Sequence, residues 1–244
     1  MALGPDNKFT LRTAQMTGAQ ARDADIDAGL RAYMLKVYNY MCVGIGVTGA
    51  VAFGASTSPA FMQAVYGTPL QWLVMLAPLG LVIFLSARLN HIKAATAQSL
   101  FWVFSALMGL SISYIFLAYT GQSVTRVFFI TAGAFAGLSL FGYTTKRDLS
   151  AMGTFMAMGL IGLIIAMVVN IFLQSSAMEF VISVLGVLIF AGLTAWDTQK
   201  IKSMYSAADG HEIGEKKSVM GALTLYLDFL NMFLFLLRLF GNRN

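Results

Sequence analysis

Apolar residues run along this chain in seven blocks separated by short polar breaks. The blocks are continuous instead of alternating, so each predicts a membrane-spanning helix, and a transmembrane β-barrel is excluded. They cover about 33–55, 70–87, 97–118, 124–143, 152–173, 180–196 and 223–241. The first is followed by a loop without Lys or Arg over 56–69, and the fourth ends abruptly in TTKRDLS. A polar loop over 198–217 leads to the last block. The expected fold class is therefore all-α, a polytopic membrane protein with seven transmembrane helices. The last block is apolar on nearly all sides, which predicts a central helix wrapped by the other six. Residues 1–29 read as a polar, mobile cytoplasmic tail, and 30–244 as one membrane domain.

Composition agrees. Of 244 residues 58% are hydrophobic and 11% charged, and the mean hydropathy is +0.73. Soluble domains carry about 25% charged residues. The polar N-terminal stretch has no apolar core of a cleaved signal peptide, so the first span is expected to direct insertion. The net charge of +5 does not point to nucleic acid, because the cations sit in the tail and between spans. Thirteen of the sixteen Lys and Arg, from Lys8 to Lys217, fall on the tail's side of the membrane; only Arg126, Arg238 and Arg243 fall opposite. The positive-inside rule makes the tail's side cytoplasmic. Seven full spans put the C-terminus outside. The closing RLFGNRN carries two arginines against that rule, so a re-entrant last segment with a cytoplasmic C-terminus is the alternative.

Several features read as structural. Cys42, the single cysteine, lies in the first span and is assigned to packing. Gly133 and Gly137, at GxxxG spacing, are assigned to close helix packing within the bundle, and the 15 methionines to core filling. No phosphate loop, CxxC pair or HExxH motif is present. His91, and His211 with Asp209, Glu212 and Glu215 nearby, read as solvated loop residues without a metal role. No cofactor is expected to be tightly bound.

The chemistry concentrates in two aspartates. Asp197 sits where the sixth span meets the cytoplasm, and Asp228 lies inside the seventh. A carboxylate at membrane depth is costly unless it is neutralised, paired or wetted. The two blocks form an antiparallel hairpin starting from one side, which can bring both carboxylates within hydrogen-bond reach. Thr224, Asp228, Asn231, Phe235 and Arg238 share one helix face, which should look into the bundle or a cavity. Two close carboxylates cannot easily both ionise, so the pair is expected to share a proton and act as a pH-dependent latch or as part of a cation path. Arg88, ending the second span on the same side, is a candidate countercharge. Plain alternatives stand beside these readings: Asp197 as an interface marker, Asp228 as a satisfied structural hydrogen bond, Arg88 as a membrane anchor.

The TTKRDLS break, the LTAWDTQKIK end of the sixth span and the closing GALTLYLDFLNMFLFLLRLFG resemble the Bax inhibitor-1 family, also called the transmembrane Bax-inhibitor-motif family, in its bacterial branch. The resemblance runs from Leu30 to the C-terminus. It implies a pH-sensitive calcium leak channel with a central C-terminal helix, and a pH-sensing aspartate pair matching Asp197 and Asp228. It further implies a basic residue near Arg88 that pairs with an aspartate in some relatives. Acidic groups found on the second helix of other members have no counterpart over 70–87.

Three functions follow. The first is a passive, pH-gated cation leak, with calcium or protons as permeant ions and Asp197 and Asp228, helped by Asn231, as a weak transient metal site. The second is a non-conducting interaction protein that restrains a membrane protease or channel. The third, an intramembrane aspartyl protease, lacks the sequence context of that chemistry, since its aspartates sit in AWDT and YLDF; no enzyme activity is expected. The expected location is a bacterial inner membrane, with an organelle membrane as the alternative.

Overall fold

The structure, a computed structural model, describes residues 18–89 and 91–244, with side chains from Ile26 onward. The expected tail thus falls largely outside the described residues, yet from Gly18 the chain is already helical. Helix α1 (Gly18–Ser56) is followed by a short α2 (Pro59–Tyr66), then α3 (Leu70–Arg88), α4 (Ala94–Ile112) and a one-turn α5 (Ile115–Ala118). Helices α6 (Gly121–Thr144), α7 (Ser150–Leu173), α8 (Ser176–Ser203) and α9 (His211–Phe240) complete the order. Among the described residues seven helical segments are long and apolar enough to cross a membrane, α4 and α5 together forming the third.

Local chemistry sets the ends. The 56–69 loop contains α2, which the sequence reading left irregular: Ser58 Oγ accepts the Phe61 N–H at 3.3 Å and Pro59 takes the first helical position, where its missing N–H costs nothing. Tyr66 of α2 reaches the end of α4, its hydroxyl 2.8 Å from the Leu110 carbonyl and 3.1 Å from that of Ser111. The TTKRDLS break holds Asp148, whose carboxylate accepts the Ser150 N–H at 2.9 Å. Hydrogen bonds from Ser150 keep that carboxyl below its ordinary range.

Helix α9 is the hub. Of its most apolar stretch 72% is buried, against 11% for α3 and 6% for α7. Helices α1, α4, α6 and α8 pack directly on it, while α3 packs on α4, and α7 on α8. Tyr226, fully buried, sits edge-on to Phe101 and Phe104 and lies 2.6 Å from the hydroxyl of Thr48. Thr48 Oγ in turn donates to the Ser105 or Gly44 carbonyl, which makes Tyr226 the donor and ties α1, α4 and α9 together.

The two ends of α9 lie on opposite faces. At its start Glu212 accepts the Ala94 N–H at 2.7 Å, and Glu215 pairs with Lys36 at 2.6 Å. At its finish Thr120 N–H donates to the Asn242 carbonyl and Asn244 N–H to that of Ala118, each at 3.1 Å. Arg243 pairs with Glu179 at 2.9 Å. Thirty residues at about 1.5 Å each give about 45 Å of helix. The last segment is a full span, not a re-entrant one, and the C-terminus lies on the face opposite the start of the first span.

Gly133 and Gly137 correct another expectation. Both are exposed on α6, and a Cβ on either would meet nothing. The close approach instead uses Gly142, whose Cβ would lie 2.1 Å from the Ala195 carbonyl oxygen of α8.

Candidate functional site

Helix α8 continues two turns beyond Trp196, so Asp197 stands inside a helix and not at its end. The stretch expected as a 198–217 loop is mostly helical, with Lys200 and Lys202 in the last turn of α8, where cations suit the negative helix end. Two glycines fix the α8–α9 register. Gly221 faces Ile201, and Gly186 faces the ring of Phe235. This antiparallel register sets Asp197 level with about Leu225, three residues or roughly 4.5 Å along the axis from Asp228.

The two carboxyl groups accordingly meet across the seam, within hydrogen-bonding reach of each other. Asp197 is 7% exposed and Asp228 5%. Asp228 Oδ2 is fully buried and receives no N–H or hydroxyl hydrogen bond from the described residues. Two carboxyl groups can hydrogen-bond to each other only when one of them carries a proton.

The pair opens onto a cavity of about 500 Å³ between α7, α8 and α9. Thr224, Asp228, Asn231, Phe235 and Arg238, the face read from the sequence, all line it. Its opposite wall is aliphatic, from Leu160, Leu163 and Met167 of α7. Asn231 donates to the Leu227 carbonyl at 2.8 Å, which leaves its amide oxygen for a ligand. At the far end Arg238 lies over the Phe235 ring, 5.4 Å from its centroid. Arg238 also lines a second cavity of about 430 Å³ with Asn170 and Glu179. From the pair the cavity runs along α9 to Arg238, towards the end of the helix that holds the C-terminus. On its other side the seam is closed by apolar packing of Ile201, Val37 and Gly221.

Arg88 is not brought to the pair. Its side chain is exposed, it makes no ion pair among the described residues, and α3 packs on α2 and α4 instead of α8 or α9. Lys200 lies three residues beyond Asp197 on the same helix, its ammonium 4.8 Å from the Trp196 ring centroid and without an ion pair to Asp197 among the described residues. Among the described residues no group of three or more His, Cys, Asp or Glu side chains converges as a metal site, so Asp197 and Asp228 stand as a two-carboxylate site.

Over residues 30–244 the chain matches the family described as "Inhibitor of apoptosis-promoting Bax1". The chain belongs to the Bax inhibitor-1 family. It is 49% identical over 223 residues to an uncharacterized protein of Rickettsia prowazekii, covering 91% of this chain and 94% of that one. It is 44% identical over 250 residues to an uncharacterized Caulobacter vibrioides protein, covering 96% and 98%. It is 46% identical over 219 residues to the inner membrane protein YbhL of Escherichia coli, covering 88% and 94%.

Two features of this Bax inhibitor-1 family chain escaped the sequence reading. Arg238 was placed on the polar face but read only as a topological exception. Glu215, read as a solvated loop residue, is 9% exposed and accepts hydrogen bonds from both Lys36 and Tyr40, locking α1 to the start of α9. Its one sequence signal was the spacing Glu215, Ser218, Ala222, which continues the buried face of α9 towards the N-terminus.

Proposed function

We propose that this protein is a passive, pH-sensitive cation leak, with calcium as the permeant ion and the Asp197–Asp228 pair as its latch. The observation that carries the reading is a pair of buried carboxyl groups meeting across the α8–α9 hairpin at the closed end of a cavity. While one proton is shared, the carboxyl–carboxylate hydrogen bond holds the hairpin shut. As pH rises and that proton leaves, two like charges face each other in a site of low dielectric, and the repulsion loosens the seam. A divalent cation entering from the cavity relieves the repulsion. Calcium takes six to eight oxygen ligands when held tightly. Two carboxylates, the Asn231 amide oxygen, backbone carbonyls and water supply a weak, exchangeable site of the kind conduction requires. The reading is of a bacterial inner-membrane protein, as the name of YbhL suggests, with the tail's face cytoplasmic by the charge bias.

Calcium flux into proteoliposomes, followed from about pH 6 to 8, tests this. Flux through the unaltered protein should rise with pH. Asp228→Asn and Asp197→Asn should each flatten that response while leaving the protein folded, because an amide still bonds to the remaining carboxyl without titrating. Absence of flux from the unaltered protein at every pH in that range sinks the proposal, and leaves the non-conducting interaction protein as the better reading.

A further inference from the structure

Helices α1 and α6 each pack on α9, and between them runs a groove of about 640 Å³ floored by Phe229. Small side chains keep it open: Gly46 on one wall, Ala132 and Ala136 on the other. Cys42, expected as a packing residue, is exposed and lines this groove. The groove follows α1 from Arg31 to Gly46, about 22 Å at 1.5 Å per residue. One leaflet of a bilayer's hydrocarbon core is about 15 Å deep.

At the tail's face the groove changes character. Arg31 and Tyr143 line both the groove and an adjoining polar cavity of about 520 Å³, which adds Lys202 and Asp27. Lys202 donates to the Tyr143 carbonyl at 2.8 Å and lies 4.8 Å from the Tyr143 ring centroid; two of its three N–H bonds remain available. Arg31 is exposed and makes no ion pair among the described residues. Among the described residues two cations stand here against one carboxylate, which leaves this end net positive, near the ends of α6 and α8.

We propose that this groove is a binding site for an anionic phospholipid, with one acyl chain between α1 and α6 and the phosphate held by Arg31 and Lys202. A zwitterionic headgroup brings its own cation against those two and gains less. A partner helix would have to bring an anionic group to the same two cations. The lipid-facing surface of α7, with Phe155, Ile161 and Phe172 exposed, carries no Lys or Arg between Ser150 and Leu173. The inference is independent of ion conduction.

The test is native mass spectrometry of the purified full-length protein with equimolar dioleoyl phosphatidylglycerol and dioleoyl phosphatidylcholine. The unaltered protein should retain the anionic lipid about fivefold over the zwitterionic one, the preference expected of one net positive charge. Arg31→Gln, at an exposed position, should bring that ratio close to one. Gly46→Leu should lower retention of both lipids, and it does so without a clash, since a Cβ there meets open space. Equal retention of the two lipids by the unaltered protein overturns the proposal, as does a preference that survives both substitutions. A dimer abolished by Gly46→Leu, with no lipid preference, would assign the groove to a second copy instead.

Discussion

Ile201 of α8 closes over Gly221 of α9: a Cβ on that glycine would lie 2.9 Å from one Ile201 methyl and 3.4 Å from a methyl of Val37. Ile201 is 2% exposed and Val37 fully buried. This contact lies one turn beyond Asp197 and seals the seam on the tail's side of the pair.

Removing the seal should uncouple leak from pH. Ile201→Ala is expected to raise calcium flux at pH 6 towards the level the unaltered protein reaches at pH 8. It should also cost about 2–4 kcal/mol of stability, as buried large-to-small changes do. Leu85→Ala, an equally buried site on α3 (1% exposed), should cost as much without opening a leak. Equal flux from the two variants would show that the leak is only loosened packing.

Arg238 stands between the aspartate pair and the C-terminal face. A fixed positive charge there opposes cation entry. Arg238→Gln should therefore increase calcium influx severalfold in liposomes that present the C-terminal face outward, with the pH midpoint held. The increase should shrink at high salt, where charges are screened. Unchanged flux in that orientation would place the ion's route away from this cavity.

The spans, their order and the pairing of the last two helices were legible because a bilayer demands long apolar runs and antiparallel neighbours share a side. Charge misled the eye at the ends. Lys200, Lys202, Glu212 and Glu215 marked the membrane boundary, but a helix whose backbone is already satisfied continues through it, so α8 and α9 outrun their apolar cores. Arg88 shows a different limit. Its depth follows from the end of the apolar run, but only packing sets direction around the bundle, and α3 packs on α4 and not on α9. The same limit applies to Gly133 and Gly137, whose spacing is equally compatible with an outward face.

Two glycines on α6 should answer oppositely to the same change. Gly142→Ala would drive a methyl into the Ala195 carbonyl, 2.1 Å away, and a backbone atom cannot move aside. The helices must separate, at a cost of about 2 kcal/mol or more. Gly137→Ala meets open space and should stabilise the helix by about 0.5–1 kcal/mol. Thermal unfolding in detergent, read from helical circular dichroism, should show Tm falling for the first and holding or rising for the second.

The Thr48–Tyr226 hydrogen bond predicts a second asymmetry. Tyr226→Phe removes the donor and leaves Thr48 its carbonyl partners, costing about 1 kcal/mol. Thr48→Val strands a fully buried tyrosine hydroxyl and should cost about 2–3 kcal/mol. The same unfolding measurement separates them, and a reversed order would mean that Tyr226 finds another partner.

The helix at the middle of this molecule is made after the four that pack on it. During synthesis the N-terminal segments emerge first, so α1, α4, α6 and α8 enter the bilayer while the surface that joins them is still inside the ribosome. Until α9 arrives, Phe101 and Phe104 lack the Tyr226 edge contacts, and Ile201 has no glycine to cover. Native packing therefore waits on the synthesis of α9. A ribosome that stops before Leu223 releases six spans with no hub, their inner faces left without the surface that joins them.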